Sequence, residues 1–319
     1  MATPHKFQHY VPQCYLRHFA HQDKKNGPFY LHAFSKESMN IFDVPVDKVC
    51  GAKDFYSLSD DFIQNRKDDS VNSLSLEVDY FAKNDEPQYS ETLKEVEGIF
   101  KDAIENHKDK LSIDNDLRKA ISFHIAIQHL RLPFIREKIN QKTDTFLEKI
   151  TKIVQAGIAL EQGKPELADL SLKAKYDKVA NHARFGFANI DRVKEYTNSF
   201  AEGYWFFFYS FDNNFYTSDI PIQYYQPNNL KGVDRPINYG SEIMFPILPN
   251  LLLVSFDRNY YSNYKENDCS LLKANKRLVH FSNYFHMKYA KQFVFSYTGN
   301  FDMVFNDEDD KLIKQNIEL

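Results

Sequence analysis

The chain is poor in the residues that build several common kinds of functional site. Its 319 residues include three cysteines, ten glycines and one tryptophan. The cysteines are odd in number and widely spaced, which predicts reduced thiols in a cytoplasmic protein and no disulfide framework. Few glycines leave little material for phosphate-cradling loops, and neither a Gly-x-x-x-x-Gly-Lys loop nor a Gly-x-Gly-x-x-Gly fingerprint occurs.

Long apolar runs and an excess of positive charge are also missing. No run of about 18 apolar residues exists, so no membrane span is predicted. The first residues lack the apolar segment of a signal peptide. The formal net charge is −4, which argues against coating of duplex DNA by bulk electrostatics but leaves room for a local basic groove.

Aromatic side chains are abundant instead, with 28 Phe and 20 Tyr. The run Tyr204–Phe208 is interpreted as a buried central strand, because base-stacking surfaces usually alternate aromatics with Lys or Arg. The last predicted helix carries a basic cluster of Lys273, Lys276, Arg277, Lys288 and Lys291. A solvated face is the simpler interpretation of this cluster, and contact with nucleic acid is the alternative.

The apolar periodicity predicts an α+β fold with one domain over 1–300. An N-terminal β-rich lobe covers 1–66, a helical section covers 67–203 and a mostly antiparallel C-terminal sheet covers 204–300. An acidic tail over 301–319 follows. The helical section is expected to pack between the lobe and the sheet.

Three local predictions follow from the same periodicity. A long helix is expected from about 114 to 160, with a kink at Pro133. Another helix is expected over Pro165–Ala180. The apolar runs Trp205–Phe211 and Phe215–Ser218 are separated by an Asp-Asn-Asn turn signal, and they are expected to pair as a buried hairpin.

The opening segment His9-Tyr10-Val11-Pro12-Gln13-Cys14-Tyr15-Leu16-Arg17-His18-Phe19 resembles the start of a bacterial family, the domain of unknown function DUF4238. Further segments fit the family in order: 128–133, 215–221, 245–249, and Asn283 with 290–296. Leu132 stands where the family usually has Thr, and Ile220 stands where Asn is common. The resemblance covers almost the whole chain but implies no settled activity.

Polar residues from three segments are expected to meet in one site. On the predicted long helix, His124, Gln128 and Arg131 lie at i, i+4 and i+7, on one face of an otherwise apolar stretch. A buried Arg131 needs a counter-ion, because an unpaired buried charge is strongly unfavourable. Asp219 or Glu242 is expected to supply it.

These residues predict a catalytic set of His9, Gln128, Arg131 and Asp219. His9 would act as general base or acid, Arg131 would hold an anionic group and Gln128 would position water. Asp219 would orient His9 or hold a divalent metal ion, the one cofactor that remains an alternative. Substrate contacts are expected from Gln13, Arg17, His124 and Ser218. The structural alternative is a latch in which Arg131 and a carboxylate lock the helices to the sheet.

The spacing of the histidines predicts no metal site. Five of the 11 histidines fall in the first 32 residues: His5, His9, His18, His21 and His32. Pro4 and Pro12 interrupt the helix that His5 and His9 would need, and the His18-x2-His21 pair has only Asp23 as an acidic neighbour. A separate alternative is Arg118-x5-His124, a spacing similar to helical ribonucleases of the HEPN type, although six helical residues turn the chain by about 240°.

The expected function is a hydrolase acting on a phosphate-containing substrate, either nucleic acid or a nucleotide. A role in phage defence or as a toxin is an association only. The alternative is a non-catalytic binding module that contains the latch. Under the latch hypothesis, Arg131→Ala strands a buried carboxylate and strongly lowers the melting temperature. Under the enzyme hypothesis, the loss of a site charge is close to neutral for stability.

Overall fold

A computed structural model describes residues 7–65, 70–169, 174–212, 214–226 and 240–301. It confirms the predicted α+β class, with a central helical section between N-terminal and C-terminal sheets. His5 and nearly all of the predicted acidic tail lie outside the described residues. Within the described ranges, no helix is long and apolar enough to cross a membrane.

The strands are short, and most belong to two sheets. In chain order they are β1 (Phe7–His9), β2 (Tyr30–Ser35), β3 (Ile41–Pro45), β4 (Gly51–Lys53), β5 (Tyr204–Tyr209), β6 (Thr217–Ser218), β7 (Gln223–Tyr225), β8 (Glu242–Leu248), β9 (Leu251–Phe256), β10 (Ser270–Lys273) and β11 (Phe293–Ser296). One sheet has the order β10-β5-β9-β8-β7, and another has the order β3-β2-β11-β6. The second sheet therefore joins N-terminal and C-terminal strands. β1 and β4 form a separate antiparallel pair.

Helices fill the middle of the chain. They are α1 (Gln13–Leu16), α2 (Asp60–Gln64), a π-helix (Ser75–Asp85), α3 (Glu86–Glu105), α4 (Asn115–Leu130), α5 (Pro133–Gln162), α6 (Lys178–Phe185), α7 (Ile190–Glu202) and α8 (Lys276–Tyr289), with short 3₁₀ turns at Arg17–Phe19, Val46–Lys48, Pro165–Asp169 and Ser262–Asn267. Where the sequence predicts a kink at Pro133, the structure has a break between two helices. Leu132 is extended there, with φ −65° and ψ 146°, because a residue that precedes proline is disfavoured in the α region.

The single helix predicted over Pro165–Ala180 is wrong. The described part of this stretch has a 3₁₀ turn followed later by α6. Gly163 ends α5 in the left-handed region, with φ 64°, a conformation that glycine adopts without a steric penalty. The Asp177 carboxylate accepts hydrogen bonds from the N–H groups of Val179 and Ala180 and so starts α6 as its N-cap.

The predicted hairpin between the two aromatic runs is also wrong. β5 is a central strand, as the aromatic run predicts, but it pairs with β9 and β10, whereas β6 pairs with β11. The side chain of Asn283 on α8 explains the divergence. It accepts from the N–H of Tyr216 at 2.7 Å and donates to the carbonyl of Asn214 at 3.0 Å. These bonds direct the second run towards α8 and away from β5.

The opening segment packs in the centre of the fold. Tyr15 is fully buried, and its ring stacks on Phe245 of β8 with centroids 5.2 Å apart. The Tyr15 hydroxyl lies 2.7 Å from Thr217 Oγ1 and donates to the Pro246 carbonyl at 2.8 Å. The segment therefore contacts both large sheets, and its preceding strand lies against the end of α4.

Candidate functional site

Arg131 caps the end of α4 and is completely buried. Its Nε donates to the Tyr56 hydroxyl at 3.0 Å, and Nη1 and Nη2 both donate to Glu86 Oε1 at 3.3 Å. Nη2 also donates to the backbone carbonyl of His9. Each nitrogen of the guanidinium therefore has an acceptor within the protein, as burial of a charged group requires.

An aromatic ring and a second carboxylate complete the surroundings of Arg131. The guanidinium carbon lies 3.9 Å from the centroid of the Phe81 ring, a cation–π contact. Asp85 Oδ2 lies 3.9 Å from Nη1. Burial acts to lower the pKa of Arg131, but the neighbouring tyrosine hydroxyl and the two carboxylates outweigh it and hold the pKa above its usual range. Arg131 is therefore a charged group with ionic partners.

The acidic partners come from the junction of two helices. The π-helix runs directly into α3, so Asp85 ends the first helix and Glu86 begins the second. Glu77 lies earlier in the π-helix. Burial raises the pKa of Glu77 to about 7, while the charge of Arg131 acts in the opposite direction. Protonation of Glu77 near neutral pH relieves the excess of negative charge around one guanidinium.

Buried polar groups continue along the face of α4. The Tyr89 hydroxyl donates to Gln128 Oε1 at 2.7 Å, and the Tyr89 ring stacks on His124 with centroids 4.6 Å apart. His124 Nδ1 lies 3.4 Å from Asp85 Oδ1 without the alignment of a hydrogen bond. Gln128 Nε2 has no hydrogen-bond partner among the described residues. Since such atoms are rare in native proteins, a water molecule or a ligand group suits this face chemically.

The opening segment contributes the polar edge that its spacing predicts. Gln13 Nε2 donates to His9 Nδ1 at 3.3 Å, and the exposed Arg17 donates through Nη2 to Gln13 Oε1 at 3.3 Å. Burial, followed by the charge of Arg131, lowers the pKa of His9 to about 4. His9 is therefore neutral near pH 7, which makes it a hydrogen-bonding group and only a weak base.

Asp219 does not pair with Arg131, so this prediction is wrong. Its Oδ1 accepts from the N–H of Lys291 at 2.9 Å, and its Oδ2 accepts from the N–H of Gln292 at 2.6 Å. Burial raises the pKa of Asp219, and these backbone donors oppose the shift. The turn between α8 and β11 thus satisfies the carboxylate with oriented N–H groups, and no side-chain cation is needed.

Glu242, the other predicted counter-ion of Arg131, is also engaged elsewhere. The Tyr261 hydroxyl donates to Glu242 Oε1 at 2.5 Å. Burial raises the pKa of Glu242 to about 7, and the bond from Tyr261 acts in the opposite direction. The prediction of an ion pair between Arg131 and Glu242 is therefore wrong as well.

Ser218 contacts a histidine that the sequence reasoning missed. Its Oγ lies 3.0 Å from His286 Nδ1 on α8 and donates to the carbonyl of Ile220 at 2.8 Å. Both Ser218 and His286 are fully buried, and burial lowers the pKa of His286 to about 3. The contact joins β6 to α8. A hydroxyl that is closed off from solvent and already bonded to a carbonyl is poorly placed to contact a substrate.

The predicted site thus separates into two regions. His9, Gln13, His124, Gln128 and Arg131 lie in one buried polar network with Arg17 at its exposed end, and we call this network the Arg131 cluster. Ser218 and Asp219 make their contacts with α8 and the turn after it.

The Arg118 and His124 side chains diverge, as regular helix geometry predicts. Arg118 donates to Asp268 at 2.7 Å and to the Gly203 carbonyl at 3.2 Å, whereas His124 faces Asp85. The described structure therefore does not bring the Arg118-x5-His124 pair together.

Five residues around the Arg131 cluster were not predicted from the sequence: Tyr56, Glu77, Asp85, Glu86 and Tyr89. One signal was present, since Glu77, Phe81, Asp85 and Tyr89 recur every four residues within the predicted helical section. An acidic residue inside an apolar stripe of that kind indicates a buried carboxylate and hence a cation elsewhere.

A cleft of about 330 Å³ lies one layer of rings away from Arg131. Phe187 lines it, and we call it the Phe187 cleft; the Phe187 ring packs against Phe81, which contacts the guanidinium, with centroids 5.0 Å apart. Tyr80 and Phe123 supply further rings to the lining. Polar groups come from successive turns of α7: Lys194, Thr197 and Asn198. Thr197 Oγ1 has no hydrogen-bond partner within the part of the chain that the structure describes.

The chain with this α+β fold and this Arg131 cluster is a member of a known protein family. The model of the family described as "Protein of unknown function (DUF4238)" matches residues 8–300, so the chain belongs to that family. Comparison with curated proteins and with solved structures returns no match.

Proposed function

We propose that the chain is a non-catalytic binding module in which the Arg131 cluster is a structural latch and the Phe187 cleft holds the ligand. The engagement of Arg131 carries the proposal. Its three nitrogens donate to Tyr56, Glu86 and the His9 carbonyl, so a phosphate group would have to displace protein acceptors from a closed core. With these acceptors, the guanidinium of Arg131 joins β1, the π-helix–α3 junction and α4.

The chemistry of the cleft favours binding over catalysis. Among the residues that the structure describes, its lining contains aromatic and aliphatic side chains with one lysine, one threonine and one asparagine, and no histidine, cysteine or carboxylate. These lining residues therefore include no general base suited to neutral pH. Rings suit a planar aromatic group, Asn198 offers hydrogen bonds, and Lys194 offers a cation to a phosphate. We propose a nucleotide as the ligand class.

Equilibrium dialysis against AMP, GMP, CMP and UMP tests this function. Ala188→Trp is the decisive variant, because Ala188 is exposed at the cleft and an indole there fills it without changing the core. Saturable binding of at least one nucleotide is expected, with loss in Ala188→Trp and weakening in Lys194→Ala. Lys152→Ala, an exposed lysine on α5, is the matched control for Lys194→Ala. Binding that persists in Ala188→Trp, or no binding to any of the four nucleotides, would overturn the proposal.

The predicted hydrolase remains a second candidate, and one observation favours it. A buried carboxylate and imidazole, Asp85 and His124, lie 3.4 Å apart, and one turn further along α4 the amide nitrogen of Gln128 has no hydrogen-bond partner among the described residues. Such a pair is suited to acid–base chemistry if the site opens. Release of phosphate from a nucleotide, or cleavage of single-stranded nucleic acid, is the measurement. If His124→Asn abolished that activity while the melting temperature stayed unchanged, the enzyme hypothesis would replace the latch.

A further inference from the structure

Two histidines and one aspartate meet on one face of the β2–β3 hairpin. None of them belongs to the Arg131 cluster or lines the Phe187 cleft. His32 on β2 lies directly opposite Asp43 on β3 in the antiparallel register. His21 exchanges both backbone hydrogen bonds with Tyr30, at 2.8 Å and 2.9 Å. Since strand residues two apart share a face, Tyr30 and His32 place His21 beside His32.

The side chains converge as the backbone arrangement requires. The rings of His21 and His32 stack, with centroids 4.2 Å apart and an interplanar angle of 17°. Asp43 faces both rings: Oδ1 lies 2.5 Å from His32 Nδ1, and Oδ2 lies 4.0 Å from His21 Nε2. One donor atom from each of the three residues falls within 4.8 Å of the others, the one such group of His, Cys, Asp and Glu found among the described residues.

We infer that His21, His32 and Asp43 form a binding site for a zinc-class divalent cation. Two imidazole nitrogens and a carboxylate oxygen are borderline donors that suit Zn²⁺. Tetrahedral zinc with bonds of about 2.1 Å places its ligand atoms about 3.4 Å apart. The observed separations of 2.5 Å and 4.0 Å lie on either side of that value. Binding also requires the two stacked imidazoles to turn out of their nearly parallel arrangement, so that the in-plane lone pairs of both nitrogens point at the ion.

A fourth ligand can come from solvent or from the neighbouring Asp23, and a glycine packs against one of the imidazoles. Asp23 Oδ1 lies 3.7 Å from His21 Nε2 and is exposed, so Asp23 or a water molecule completes the coordination. The backbone of Gly299 lies against the His32 ring. A Cβ built on Gly299 would come within 3.1 Å of the ring, and φ there is +71°. Glycine therefore allows the close packing that fixes the imidazole.

A bound ion would link two parts of the chain. It joins His21, which follows the opening segment, to both strands of the β2–β3 hairpin. The donor side chains are between 26% and 52% exposed, so the ion has direct access from solvent. The alternative is that Asp43 simply forms ion pairs with the two histidines.

Metal titration of the untagged full chain distinguishes these possibilities. After treatment with EDTA and dialysis, Zn²⁺ is titrated at pH 7.5 in competition with a chromophoric chelator. One ion per chain is expected, together with a melting temperature that rises with Zn²⁺ and falls again with EDTA. Asp43→Asn, which keeps the shape of the side chain, and His32→Ala should each weaken binding by more than the roughly 10- to 100-fold typical of losing an outer partner.

His107→Asn is the matched control, because His107 is exposed and its φ of 50° is tolerated by asparagine. This variant should bind Zn²⁺ like the wild type. Failure to bind Zn²⁺ would overturn the inference, as would wild-type affinity in both Asp43→Asn and His32→Ala. A Co²⁺ complex with thiolate charge-transfer bands would also overturn it, since it would place the ion at a cysteine.

Discussion

The Arg131 cluster and the Asp219 turn bury charge in two different ways. Arg131 is balanced by ionised or ionisable side chains from other segments, including Asp85 and Glu86. Asp219 is balanced by two backbone N–H groups at one turn, those of Lys291 and Gln292. Arg131 also donates to one backbone carbonyl, that of His9, but its other acceptors are side chains of distant segments. Burial of Arg131 therefore brings several segments together, whereas burial of Asp219 needs one turn. The two charges therefore have different consequences when they are removed.

The largest effect is expected from Arg131→Met, which removes the cation but keeps an apolar chain. Asp85 is then left buried without its cation, and the free energy of unfolding should fall by about 3–5 kcal/mol. Chemical denaturation at pH 7 measures the change. The exposed Arg17 gives the control Arg17→Met, which should stay within about 0.5 kcal/mol of wild type. Equal stabilities for the two variants would remove the latch from the proposed function.

A smaller effect is expected from Asp219→Asn. The variant keeps one acceptor oxygen but turns an amide NH₂ towards one of the two backbone N–H groups, which leaves that donor unsatisfied. The cost should be about 1–3 kcal/mol in the same denaturation experiment. A loss as large as that of Arg131→Met would mean that the turn also supports distant segments, and the contrast between the two regions would fail.

Glu242 tests a third case, a buried carboxyl group with one hydroxyl partner. Its pKa is raised to about 7 from an ordinary value of 4.5, so its contribution to stability is present below pH 4.5 and is lost as the pH rises towards 7. Glu242→Gln should remove this loss and stabilise the protein at pH 8 by an amount on the order of 1–2 kcal/mol. Melting curves between pH 4.5 and pH 8 measure it, with the exposed Glu266→Gln as control. A greater stability of wild type at pH 8 would contradict the expected sign.

Much of the fold could be predicted because apolar periodicity reports burial directly. The apolar face of α4 and the aromatic run of β5 both predict buried elements, and both elements are buried. The hairpin prediction failed for a different reason. Strand pairing depends on competing partners: β9 and β10 occupy both edges of β5, and Asn283 on α8 binds the second aromatic run.

The candidate site could be predicted only in part. Helical spacing alone places His124, Gln128 and Arg131 on one face, and the opening segment does reach them through the His9 carbonyl. The counter-ions of Arg131 could not be predicted in the same way, because a buried cation can attract a carboxylate from any part of the chain. Asp85 and Glu86 resemble an ordinary acidic helix start, and the burial of Asp85 depends on the packing of α3 against α4.

The opening segment has a consequence for the order in which the chain acquires its structure. The partners of the Tyr15 hydroxyl lie 202 and 231 residues further along the chain, and the Arg131 contact to His9 spans 122 residues. During synthesis, this segment therefore leaves the ribosome well before Pro246 and waits for it before its contacts are complete. Contacts of such long range slow folding, and until they form, Tyr15 and Phe19 remain exposed apolar surface for chaperones to cover.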